Sequence, residues 1–138
     1  MKKKAIIVSI KGLRLTAKEK ILLSDEYPWG LILFKRNIKS LSQIQSLIND
    51  IKKLTKNKNF PILIDEEGST VSRLTNIINH NISANYFGNL YLINKKLCIQ
   101  LYKKYLDSLC KCLKRIGLNI NTIPVLDVLR VKTSSVIG

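Results

Sequence analysis

Acidic side chains are scarce in this chain: nine aspartates and glutamates stand against 24 lysines and arginines, for a net charge of +15. An excess of that size suits a binder of nucleic acid or of an anionic surface. It also suits compositional drift, since Lys, Ile and Asn are abundant together, as an AT-rich coding sequence favours. The lysines are scattered, with Lys2-Lys3-Lys4 and Lys52 to Lys58 the only dense patches. No nucleic-acid motif accompanies them and aromatic residues are few. Drift and solvated helix faces therefore account for the charge, and no specific nucleic-acid partner is expected. Histidine is reduced to His80, and the three cysteines, Cys98, Cys110 and Cys112, are odd in number with no CxxC spacing. That argues against zinc and for reduced thiols; no metal or cofactor is expected. No apolar run reaches the length of a membrane span, and no membrane partner is expected. The run Ala5 to Val8 is too short for a signal peptide, with Lys11 and Arg14 soon after it. A cytoplasmic location follows. Glycine is thin where a dinucleotide fold would need it: after the first apolar run only Gly12 appears, so the phosphate-binding fingerprint is missing.

What is there is a repeated alternation of short apolar runs and helical patterns. The most informative stretch runs from Phe60 to Arg73. Ile62-Leu63-Ile64, opened by Pro61, reads as a buried strand. Three carboxylates, Asp65, Glu66 and Glu67, then stand where the strand ends, and Gly68 turns the chain. Acids discharged at the C-terminal end of a buried strand are characteristic of the active face of a parallel α/β fold.

Elsewhere Ala5 to Ile10 reads as a buried strand. Thr16 and Glu19 have capping-box spacing ahead of a short helix to about Leu23, and Asp25 to Trp29 reads as loop. Leu31 to Phe34 is a second strand, ending in Lys35-Arg36-Asn37. Ser40 and Gln43 repeat the capping spacing before an amphipathic helix carrying Leu41, Ile44, Leu47, Ile48, Ile51 and Leu54. Leu74 to Asn89 shows no clear period and reads as a long connection. A long helix is predicted from about Asn94 to Ile116, with Gly117 as its C-terminal stop. A fourth strand is predicted from Leu118 through Val128, ending at the acid Asp127.

Strand–helix alternation implies a parallel sheet. Without a phosphate fingerprint, the expected fold is α/β of the (β/α)8 TIM-barrel type. Such a barrel needs roughly 250 residues, so 138 residues make only about its first half.

The motifs carry a resemblance. Gly12 with Leu15-Thr16 and Glu19, Pro28 to Asn37, Leu63 to Gly68 with Val71 and Arg73-Leu74, Phe87 to Tyr91, Gly117 to Ile120, Pro124 to Val128 and Val136-Ile137-Gly138 occur in order. Together they resemble the N-terminal part of glycoside hydrolase family 3, specifically the cytoplasmic β-N-acetylhexosaminidases of peptidoglycan recycling. The resemblance implies that residues 1–138 are the N-terminal part of that barrel domain. It implies a retaining glycosidase that removes terminal N-acetylglucosamine from muropeptides, with no metal or cofactor. It assigns sugar binding to Asp65 and Arg73. A carboxylate accepts from paired hydroxyls, and a guanidinium fork orients a polar ligand; the competing reading is a loop-pinning salt bridge.

There are departures. Ser69 and Thr70 stand where the family has a Gly and an Arg. The family's general acid/base lies on a later His-rich loop, and its nucleophilic Asp later still; neither has a counterpart here. A further substrate-binding Arg follows the Val-Ile-Gly block in the family, whereas Asp127 and Arg130 do not fit those roles by position. The chain therefore carries no catalytic residue and at most one wall of the sugar pocket. Its expected partners are an N-acetylglucosamine-containing muropeptide or oligosaccharide and a separate C-terminal half. The alternative is a non-catalytic half-barrel remnant or the sugar-binding subunit of a split enzyme. Lys35, Asp65, Arg73 and Asp127 are expected towards one face of the sheet. His80 is expected on a loop without a catalytic part. Ala5 to Ile10 and Leu118 to Val125 are expected as unpaired edges.

Overall fold

The computed structural model describes residues 3–80 and 82–126. Asp127, Arg130 and the Val136-Ile137-Gly138 block lie outside the described residues. Strands β1 (Lys4–Ser9), β2 (Pro28–Leu33), β3 (Ile62–Ile64) and β4 (Ile120–Asn121) form one parallel sheet in the order β1-β2-β3-β4. Helices α1 (Ala17–Asp25) and α2 (Leu41–Leu54) supply the first two crossovers, and α3 (Ala84–Ile93) with α4 (Lys95–Ile116) the third. Sequential order in a parallel sheet is the arrangement of adjacent barrel strands.

The core lies between the sheet and its helices. Leu31 and Leu33 of β2, with Ile62 and Ile64 of β3, pack against Ile44, Leu47, Ile48 and Ile51 of α2 and Leu109, Leu113 and Ile116 of α4. Their spacing follows from geometry: residues alternate sides along a strand, and an apolar stripe recurs every three or four residues along a helix. On the other side of the sheet Ile32 is half-buried. That is the face a barrel would turn inward.

The helix ends follow their sequence signals. Thr16 caps α1 by accepting from the Glu19 amide, while Glu19 reaches back to the Thr16 amide at 2.7 Å. Ser40 caps α2, but Gln43 turns its side-chain oxygen to the Lys39 amide at 2.9 Å and not to the Ser40 amide. It also donates to the Leu13 carbonyl at 2.8 Å. α4 ends at Gly117, whose φ of +108° is the left-handed conformation that glycine adopts without strain. A Cβ there would meet Ile48 Cγ2 at 2.9 Å.

Four elements differ from expectation, the shortest of them β4, which is confined to Ile120–Asn121 while residues 122–126 are not strand. β1 is a strand but not a buried one: Ile6 and Ile7 are exposed, and only Ile10, just beyond it, is fully buried. The cause is its position at the sheet edge, where β2 is its one strand partner among the described residues. β2 begins at Pro28, inside the segment read as loop. Proline lacks an amide hydrogen, yet a first strand residue does not need one, and Lys4 bonds to the Tyr27 carbonyl at 2.9 Å instead. α3 occupies much of the stretch read as a long connection. It buries no residue and carries Gly88 at its middle, so it has no periodic buried stripe to find.

Glu19 also ties β1 to α1, because its second oxygen accepts from the Lys11 amide at 2.7 Å. Burial pushes its pKa up, but the amide hydrogen bonds from Thr16 and Lys11, with the Thr16 hydroxyl and the Lys11 charge, outweigh that and leave it below its ordinary 4.5. A depressed folded-state pKa gives stability that is fully present above 4.5 and lost as pH falls through the folded value. Glu19→Gln is therefore expected to cost about 0.5–1 kcal/mol at neutral pH, a small figure because the group is partly solvated. Urea unfolding at neutral and strongly acidic pH checks this: the gap between the two proteins should close in acid.

Candidate functional site

Everything at the site is hung on the C-terminal end of β3. Its three residues are buried, and β2 and β4 flank it. β4 is only two residues long, but asparagine side chains extend its hold. Asn119 accepts from the Ile62 amide at 2.7 Å and donates to the Phe60 carbonyl at 2.9 Å. Asn121 accepts from the Glu66 amide and donates to the Glu66 carbonyl, both at 3.0 Å. Each side-chain amide does what a strand's own peptide would do.

The three acids then separate by environment. Continuing the strand's alternation by one step places Asp65 with Leu63, away from the helices, and Glu66 with Ile62 and Ile64, on the core side. Asp65 keeps partial exposure, whereas Glu66 is fully buried. The Glu66 carboxylate is saturated by four donors. Oε1 takes the Ser72 hydroxyl at 2.5 Å and lies 2.6 Å from His80 Nε2; Oε2 takes the amides of Arg73 at 2.8 Å and Leu74 at 2.9 Å. The Tyr105 hydroxyl, from α4, lies 3.4 Å from His80 Nδ1. Burial and the nearby Glu66 charge, with Tyr102, push the Tyr105 phenol above its usual range.

Between Glu66 and Ser72 the chain makes a tight turn. The amides of Glu67 and Gly68 both point to the Val71 carbonyl, at 2.8 and 3.2 Å. Gly68 has φ +148°, and a Cβ on it would come within 2.8 Å of the Ile82 carbonyl oxygen. Ser69 and Thr70 occupy the exposed tip. The turn brings Arg73 back over the strand end, where its Nη2 lies 3.5 Å from Asp65 Oδ2. The contact is long and single, not a two-point fork. Arg73 Nε is buried and has no hydrogen-bond partner among the described residues. Both side chains keep partial exposure, so a polar ligand could reach the pair while each holds the other in place.

Lys35 is exposed just past the C-terminal end of β2, the strand beside β3. The expected grouping of polar residues at strand ends therefore has Lys35, Asp65 and Arg73 within it, and Asp127 outside the described residues. His80 is on a loop, as expected, and its described contacts are to Glu66 and Tyr105. Among the described residues no group of three His, Cys, Asp or Glu side chains could hold a metal ion. No helix among them is long and apolar enough to cross a membrane.

A cavity of about 390 Å³ opens between α3, α4 and residues 123–125. Phe87, Tyr91, Tyr102, Tyr105 and Ile123 make it apolar, with Glu67 at its margin. Neither Asp65 nor Arg73 lines it. A sugar needs hydroxyl partners, so the polar pair, not this cavity, is the carbohydrate candidate.

Sequence reading missed Glu66, His80 and Tyr105 as a unit. One signal was present: the period of two that puts Ile62 and Ile64 inward also puts Glu66 inward.

No family model matches the chain. It is similar to the beta-hexosaminidase of Nitrosomonas eutropha, 31% identical over 133 residues, which is 96% of this chain and 38% of that protein. It is 44% identical to the beta-hexosaminidase of Mannheimia succiniciproducens over 68 residues, 49% of this chain and 19% of the relative. Among solved structures it resembles NagZ from Neisseria gonorrhoeae in complex with N-trifluoroacetyl-D-glucosamine, with a TM-score of 0.80 and 28% identity over 91% of this chain and 37% of that one. It also resembles a fungal multi-domain GH3 beta-N-acetylglucosaminidase, with a TM-score of 0.75 and 25% identity, covering 88% of this chain and 14% of the other. The chain spans less than two fifths of the length of these proteins.

Proposed function

We propose that this chain, similar to beta-hexosaminidases and to a GH3 beta-N-acetylglucosaminidase, is the sugar-binding wall of a cytoplasmic β-N-acetylhexosaminidase. On this reading Asp65 and Arg73 hold the terminal N-acetylglucosamine of a muropeptide or oligosaccharide. The observation that carries it is the Asp65–Arg73 pair itself, partly exposed at the end of a central strand and joined by one long contact. The Asp65 carboxylate can accept from two neighbouring sugar hydroxyls at once, and Arg73 can donate to a third oxygen from a fixed direction. Glu66 carries the Arg73 backbone, so the guanidinium starts from a set position.

Hydrolysis with retention needs a nucleophile and a proton donor on opposite sides of the scissile bond. No residue of this chain matches the family's pair. The chain contributes binding and orientation, and a further segment contributes bond breaking.

The test is a titration of the isotope-labelled chain with N-acetylglucosamine, followed by amide shifts. Shifts centred on 65–74 are expected. Asp65→Ala and Arg73→Ala should each weaken binding by about tenfold or more, as for loss of a charged hydrogen-bond partner. Equal affinity in both variants, or shifts confined to the apolar cavity, would refute the assignment.

A further inference from the structure

The corner where α3 meets α4 carries an apolar surface that no described residue covers. α3 buries none of its residues. At its end Leu92 and Ile93 are 84% and 83% exposed. Asn94 ends α3 and caps α4 by accepting from the Leu97 amide at 3.0 Å, so the two aliphatic residues sit on a defined turn. Tyr86 and Tyr91 on α3, and Leu97 and Ile99 on the first turns of α4, add to the exposed apolar surface. One exposed leucine is ordinary; six large apolar side chains exposed between Tyr86 and Ile99 are not.

Basic residues dominate the charge around the patch, with Glu67 on the margin of the cavity that Tyr91 and Ile99 also line. Lys95 and Lys96 follow the tip directly and are exposed, and Lys103, Lys104 and Lys111 are exposed further along α4. Asp107 is the only acid from Ala84 to Ile116. The Lys95 ammonium lies 5.4 Å from the Tyr91 ring centroid, so charge and aromatic face already meet at the tip.

Aliphatic tip, tyrosine beside it and a lysine collar form a graded series of polarity. Nucleic acid would use the lysines but has nothing for Leu92 and Ile93, which neither stack nor hydrogen-bond. A second copy would bring its own lysines against these. A lipid surface uses all three layers: acyl chains for the aliphatic tip, the interfacial zone for tyrosine, anionic head groups for lysine. We propose that the α3–α4 corner is a reversible docking point for an anionic lipid surface. Leu92 and Ile93 enter the acyl boundary, Tyr91 sits at head-group depth, and Lys95 and Lys96 meet the lipid phosphates. This departs from the expectation of no membrane partner, which rested on the lack of a spanning run and does not bear on surface contact. It is independent of the sugar-binding reading.

The 138-residue chain is mixed with vesicles of phosphatidylcholine alone or with about a third phosphatidylglycerol, at roughly physiological salt where bare surface charge is screened beyond about 8 Å. Flotation measures the bound fraction. Binding is expected to the anionic vesicles and not to the neutral ones. Leu92→Ser with Ile93→Ser keeps every charge and should weaken binding by about tenfold or more, since insertion scales with buried apolar area. Lys95→Gln with Lys96→Gln should weaken it several-fold. Ile21→Ser, an exposed aliphatic on α1, should change nothing. Circular dichroism confirms that the variants fold. Equal vesicle binding by the Leu92/Ile93 variant would show net charge acting alone and overturn the proposal. So would failure of the unaltered chain to bind, or a dimer that the same variant converts to monomer without any vesicle binding.

Discussion

Glu66→Ala is expected to lower the unfolding free energy by about 3 kcal/mol. The carboxylate accepts from two backbone amides, a hydroxyl and the His80 ring in a site closed to solvent. Hydrogen bonds to a charged group contribute roughly 1.5–3 kcal/mol each, but much of that repays the desolvation of the carboxylate. The larger effect is what alanine leaves behind: amides at Arg73 and Leu74 and a ring nitrogen, all short of partners. Each buried orphan costs about 1–3 kcal/mol unless water reaches it, and the three relax together, so the sum falls well below three times one. Glu66→Gln should cost less. Its carbonyl can keep the two amides, while its amide nitrogen faces Ser72 and His80, and both can switch to accepting. The histidine would do so by carrying its proton on Nδ1 towards Tyr105. Equilibrium urea unfolding checks the ranking. A loss under about 1 kcal/mol for the alanine variant would mean that the Glu66 network does not hold the loop.

The second large effect concerns catalysis. The 138-residue chain alone is expected to show no measurable hydrolysis of a chromogenic β-N-acetylglucosaminide. A two-step displacement needs a nucleophile to form the glycosyl-enzyme and a proton donor for the leaving oxygen. Asp65 is engaged with Arg73, and Glu66 is sealed in the core with all its lone pairs directed to protein donors. Binding groups alone lower the energy of the bound substrate as much as that of the transition state, and so do not speed the chemical step.

Much of the fold was legible because the helical and strand periods were clean where burial was deep. β3 and α2 follow from Ile62-Leu63-Ile64 and from the stripe ending at Leu54, and the caps at Thr16, Ser40 and Gly117 mark helix ends by local hydrogen bonding. Legibility failed where burial failed. α3 has apolar residues on several sides and none buried, so no period emerged from it. β1 has the composition of a buried strand, yet its burial depends on neighbours that composition does not reveal. At the site, Asp65 and Arg73 stood out through the resemblance, not through spacing. Glu66 was hidden by its company: three acids in a row read together as the polar end of a strand, although the alternation of the strand already assigned the middle one to the core. His80 and Tyr105 could not be joined to it from sequence, because their contact is made by the return of a loop onto a helix 25 residues away.

The central claim is that this chain supplies the sugar-binding wall of a family 3 β-N-acetylhexosaminidase barrel. Its most direct test is an assay of the chain mixed with a separately produced C-terminal segment of a full-length relative. Among the described residues β1 and β4 are the outer strands of the sheet, and their free sides are where such a segment would pair. Hydrolysis of a β-N-acetylglucosaminide is expected from the mixture and from neither part alone, with Asp65→Ala in this chain abolishing it. Hydrolysis by this chain alone, lost on Asp65→Ala and absent from mock preparations, would contradict the account. So would a mixture whose activity is indifferent to Asp65 and Arg73.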